Sequence, residues 1–127
     1  MKRTGIWNAD LSYHLAKLGH TQIVFVVDAG MPLPSGIPTV DLALVAGVPT
    51  LRQVLDALLA EIIVAQSTAA RESSDTVVAE WFAGHGLTPE LVSHQQLKAM
   101  LSQASLIVRT GEATPFANVA LHCGVPF

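Results

Sequence analysis

Gln22-Ile23-Val24-Phe25-Val26-Val27-Asp28-Ala29-Gly30 is the stretch on which the fold turns. Five consecutive β-branched or aromatic residues predict a strand that is apolar on both faces. Strands of that kind lie inside an α/β sheet covered on each side by helices. The run stops at a carboxylate, Asp28, and a Pro- and Gly-rich loop follows, Met31-Pro32-Leu33-Pro34-Ser35-Gly36-Ile37-Pro38. In open α/β sheets ligands bind at the carboxyl ends of the strands, which makes Asp28 a candidate ligand contact. The plainer alternative is that its carboxylate only caps the amides of its own loop.

Upstream, Asp10 to Leu18 reads as a helix, with Asp10 as N-cap, an apolar face of Leu11, Leu15 and Leu18, and Gly19 as stop. His20 then follows the helix end, where the negative pole of the dipole suits a proton-donating imidazole. Downstream, Thr39–Val45 is a second strand, Thr50 caps a helix to about Leu59, and Ile62–Ala65 is a further strand. Residues 66–84 have the Ala, Ser and Glu content of a helix. Ser93-His94-Gln95-Gln96 has the form of a capping box opening a helix to about Gln103. Ser105–Arg109 and Phe116–Leu121 are the last strands, around the turn Thr110–Pro115. Helices alternating with strands predict one α/β domain over residues 1–127: three layers, with helices on both faces of a central mixed, largely parallel sheet.

Composition narrows the function. Charged residues are 13% of the 127, against roughly 25% in typical domains, and hydrophobic residues are 50%. So much apolar surface on a small chain predicts burial between copies, hence a homo-oligomer. No apolar stretch approaches the roughly 20 residues of a membrane span. Asn8 and Asp10 interrupt any signal-peptide core, so a cytoplasmic protein with no membrane partner is expected. Seven scattered Lys and Arg residues and a net charge of −3 argue against nucleic acid. The lone Cys123 leaves no internal disulfide and reads as a small buried hydrophobe.

Among the histidines, His94 opens a helix, where the dipole suits a neutral, hydrogen-bonding ring. His14, His85 and His122 sit in a helix, a glycine loop and an apolar alternation, without the spacing of a metal site. Gly84-His85-Gly86 lacks the strand and third glycine of a phosphate loop, and no nucleophile elbow is present. Asn118, on an apolar segment, must find partners as a structural link or a ligand contact. What remains is acid–base chemistry on a neutral polar ligand.

Taken in order, Leu18-Gly19-His20-Thr21, Val27-Asp28-Ala29-Gly30-Met31-Pro32-Leu33-Pro34, Asp41-Leu42-Ala43-Leu44 and Gly47-Val48-Pro49 form a pattern. It continues with His94, Thr110-Gly111-Glu112, Phe116-Ala117-Asn118 and Gly124-Val125-Pro126-Phe127. The chain resembles the superfamily of D-ribose pyranases and L-fucose mutarotases over nearly its whole length, and the Asp-Ala-Gly-x-Pro-x-Pro loop resembles the ribose branch. The resemblance implies interconversion of sugar ring forms without a metal or other cofactor, with His20 as proton donor. It implies that Asp28, His94, Phe116, Ala117 and Asn118 contact a monosaccharide, D-ribose first. It also implies a ring-shaped oligomer, often a decamer of two pentamers. Phe116 departs from the family's usual tyrosine and so lacks a hydroxyl. An L-fucose-type mutarotase and a non-catalytic sugar-binding subunit are the rival functions. His20 and Asp28 are eight steps apart, roughly 26 Å along an unbroken strand. Either the segment bends early or a neighbouring copy completes the site.

Overall fold

Why Ile23–Val27 is apolar on both faces is plain once it is paired. In a computed structural model describing residues 1–127, it forms β1, the third strand of a six-stranded sheet. The other strands are β2 (Thr39–Asp41), β3 (Val64–Ala70), β4 (Glu90–Val92), β5 (Leu106–Arg109) and β6 (Val119–Cys123), in the order β2-β5-β1-β6-β3-β4. Pairs β1–β5, β2–β5 and β3–β4 are parallel, and β6 runs antiparallel between β1 and β3. The expected mixed, largely parallel sheet is therefore present.

Side-chain alternation along β1 divides the interior in two. Val24 and Val26 join Leu106, Val108, Val119 and Leu121 under α1 (Ala9–Ala16), α2 (Leu51–Leu59) and α3 (Val77–Gly84). Phe25 and Val27 face the other way, packing with Ile107 and Ala120 under α4 (His94–Met100). Each helix presents an apolar stripe to its side, for example Leu51, Val54, Leu55 and Leu58 of α2, all buried. Helices cover both faces, which completes the three layers.

Local signals set the helix starts. Thr50 and Gln53 form a full capping box on α2, and Ser93 and Gln96 form another on α4. On α1 the cap is Asn8, whose side chain accepts from Leu11 N–H at 2.8 Å, so Asp10 falls inside the first turn. That helix ends at Ala16 with Lys17 as its C-cap. His20 lies four residues beyond the helix, and the dipole argument made for it does not apply, because the effect fades within the last turn. The helix expected over 66–84 is a second correction: β3 continues to Ala70, and α3 begins only at Val77. The strand expected from Phe116 begins at Val119 instead. Cys123 is buried as expected, and burial pushes its thiol up.

Candidate functional site at the carboxyl edge of the sheet

The carboxyl end of β1 meets the amino end of β6, because the two strands run antiparallel with Val26 opposite Val119. Asp28 and Asn118, 90 residues apart in sequence, are thereby brought together. Asn118 Oδ1 accepts from Asp28 N–H at 2.8 Å, and Asn118 Nδ2 donates to Asp28 Oδ2 at 2.8 Å. The backbone bond fixes which end of the amide is oxygen. Asn118 has no exposed surface, nor has Ala117, whose side chain belongs to the core under α1–α3. Both polar atoms of Asn118 are taken up by Asp28, so it links the end of β1 to the start of β6.

The loop after β1 is held from every side. Gly30 N–H donates to Asp28 Oδ1 at 3.0 Å, so the loop-capping alternative for Asp28 is real. Ala29 N–H donates to the Glu112 carbonyl at 2.9 Å. Arg109 donates two N–H groups to the Ala29 carbonyl at 2.8 and 3.1 Å, while a third meets Asp41 at 2.8 Å. A carboxylate has about four acceptor positions, and each Asp28 oxygen uses one within the chain. Capacity remains for a hydroxyl on the exposed side of Asp28.

Along the same edge, Phe116 precedes Asn118 and meets the His94 ring edge-on, with centroids 5.1 Å apart at 83°. His94 arrives from the other direction, as the first residue of α4 after β4. Its N–H donates to Glu72 at 2.9 Å. His94 Nδ1 is the one buried side-chain polar atom in the chain with no hydrogen-bond partner. Such atoms call for a ligand or water. Phe116 adopts a left-handed backbone, φ 61°, which costs of order 1–3 kcal/mol and is found chiefly where geometry serves a site.

Asp28, Gly30, Glu112, Thr114 and Pro115 line a cleft of about 440 Å³ at this edge, within the range of small-molecule sites. A larger cleft of about 600 Å³ lies between α2 and α3, but His85 there already bonds Asp56 at 2.9 Å and the Trp81 carbonyl at 2.6 Å.

His20 stands at the opposite edge. Thr21 N–H donates to the Cys123 carbonyl, at the far end of β6 from Asn118. A turn does bend the chain at His20 and Thr21, with Thr21 left-handed at φ 69°, yet β1 is unbroken from Ile23 to Val27. His20 is exposed, and the histidine rings that form hydrogen bonds within the chain are those of His85 and His122. One chain therefore gathers Asp28, His94, Phe116 and Asn118 at one edge and leaves His20 at the other.

Sequence reasoning gave no role to Glu112, Arg109 or Glu72. Glu112 was visible only within Thr110-Gly111-Glu112, and a turn carboxylate carries no sign of being buried.

An α/β sheet with a carboxylate, an imidazole and an aromatic ring at its carboxyl edge defines a binding fold for small polar ligands. The chain belongs to the RbsD / FucU transport protein family, whose model matches residues 1–126. It is 50% identical to a D-ribose pyranase of Streptomyces avermitilis and 43% identical to one of Cutibacterium acnes, each over 100% of both chains. Among solved structures it is similar to Bacillus subtilis RbsD complexed with D-ribose, with TM-score 0.93, 36% identity and full coverage of both chains. The fucose mutarotase of Streptococcus pneumoniae shares the fold, with TM-score 0.78 and 21% identity over 94% of each chain.

Proposed function

We propose that this chain is a D-ribose pyranase, a cytoplasmic isomerase that interconverts the pyranose and furanose forms of ribose. The observation that carries the reading is the Asp28–Asn118 and Phe116–His94 pairing at one sheet edge, in a chain 36% identical throughout to a protein complexed with D-ribose. In the reaction a base takes the anomeric hydroxyl proton, the bond from C1 to the ring oxygen breaks, and that oxygen is protonated. A different hydroxyl of the open aldehyde then adds to C1, giving up its proton as the carbonyl oxygen gains one. No carbon-bound hydrogen moves, so acid–base groups suffice and no cofactor is called for. His20 is the proton-transfer residue. Asp28 and His94 hold hydroxyls, the Phe116 ring covers the carbon face, and Phe116-Ala117-Asn118 is the segment that braces them.

The same reading makes the protein a homo-oligomer, a decamer of two pentameric rings with sites between copies. Two apolar patches support it. Leu44, Val45 and Val48 are exposed on the excursion beside Gly111, next to the Asp28 edge. Ile63 and Phe127 are exposed toward the end where β6 finishes, the His20 edge. Apolar patches on opposite edges suit head-to-tail contacts, which give a ring where the rotation between copies closes. No helix is long and apolar enough to cross a membrane.

NMR magnetisation exchange on D-ribose tests the activity. Faster exchange between pyranose and furanose signals on adding protein is expected, with little effect on L-fucose anomers. Broadened ribose signals without faster exchange would leave only a sugar-binding role, and preferential L-fucose exchange would make it a mutarotase.

A further inference from the structure

We propose that Glu112 is the positioning residue of the sugar pocket, setting the Asp28 loop and the Phe116 loop through one buried residue; this rests on the ribose reading above. Glu112 is 7% exposed, and the ion pairs of the chain, His14–Asp10, His85–Asp56 and Arg109–Asp41, do not include it. A buried carboxylate without a cation is costly unless donors surround it. Here they do. Glu112 Oε2 accepts from Leu51 N–H, the first residue of α2, at 3.0 Å. Oε1 accepts from the Thr114 hydroxyl at 2.8 Å and from Thr114 N–H at 3.3 Å. Burial pushes the carboxyl up, but the bonds from Leu51, Thr114 and Ala113 together outweigh it and leave it below the ordinary carboxylate value.

These partners tie three parts of the site to one residue. The carboxylate fixes the turn that leads to Phe116 and anchors it on α2, while the Glu112 carbonyl receives Ala29 N–H from the Asp28 loop. Glu112 N–H in turn bonds Thr110 Oγ1, whose hydroxyl donates to the Val27 carbonyl at the end of β1. Every group facing the carboxylate is a donor. A Gln at this position must turn its NH2 against either Leu51 N–H or Thr114 N–H; the Thr114 hydroxyl can rotate to accept from it, but one backbone donor loses its acceptor either way.

Glu112→Gln tests this. Because Glu112 sets contacts on the Asp28 edge and not His20, its loss is expected to raise ribose KM about tenfold, with kcat within about threefold of the parent chain. Ribose Kd by calorimetry should rise in parallel. Thr114→Val, which removes only the hydroxyl, should shift both constants the same way by about threefold, and it serves if Glu112→Gln does not fold. Parent-like KM and Kd in a folded variant, or a loss confined to kcat, would overturn the proposal. A parent protein that binds ribose without interconverting it would overturn the pyranase reading instead, while Kd would still decide the role of Glu112.

Discussion

His20→Ala is expected to lower ribose exchange by about 100- to 10,000-fold, the range that one positioned acid or base contributes. Ribose affinity should change little. The expectation follows from how little His20 does for its own chain: it is exposed, sits in a turn and forms no ring hydrogen bond. Substitutions at such surface positions stay within about 0.5 kcal/mol in stability. The variant should therefore fold, assemble and bind sugar normally, and magnetisation exchange should report the loss alone. Undiminished exchange in a folded His20→Ala protein would remove the imidazole from the mechanism.

Asn118→Leu has the second large effect, and it falls on stability and binding together. Asn118 is fully buried and pairs with Asp28 through both polar atoms. A leucine of similar size leaves Asp28 N–H unpaired and removes a donor from the carboxylate. The two losses sum to about 2–4 kcal/mol. In a chain of this length that lowers the melting temperature by roughly 10 °C. Ribose affinity should fall at least about tenfold, because Asp28 is no longer held. A melting curve and a calorimetric titration check both, and an unchanged melting temperature would contradict the linking role.

Much of the fold was legible because its signals are local. The apolar run of β1, the Thr50 and Ser93 capping boxes and the strand at Leu106–Arg109 each follow from neighbouring residues. The start of β3 at Val64 and Ala65 was legible but its continuation was not: Gln66, Ser67 and Thr68 are polar, and the strand runs on because β6 and β4 pair with it from both sides. Those partners lie far away in sequence. The end of α1 was also misjudged, since Leu18 continues the apolar spacing although the helix stops at Ala16.

The site divides the same way. Asp28 could be found because a carboxylate at a strand exit is local information. The Asn118–Asp28 pair needed the antiparallel placement of β6, and the burial of Glu112 needed the start of α2 to pack against the turn after β5. His20 was placed in the site by resemblance, and the sheet geometry then sets it at the opposite edge from Asp28.

Mixing His20→Ala with Asp28→Ala protein, the first lacking the proton-transfer imidazole and the second the carboxylate that holds a hydroxyl, and allowing the copies to exchange tests the shared pocket most directly. If one copy supplies the imidazole and its neighbour the carboxylate, a random one-to-one mixture rebuilds about a quarter of the sites in a head-to-tail ring. Ribose exchange should return to about that fraction of the parent rate. A mixture that co-assembles and is no more active than its two components would contradict the account.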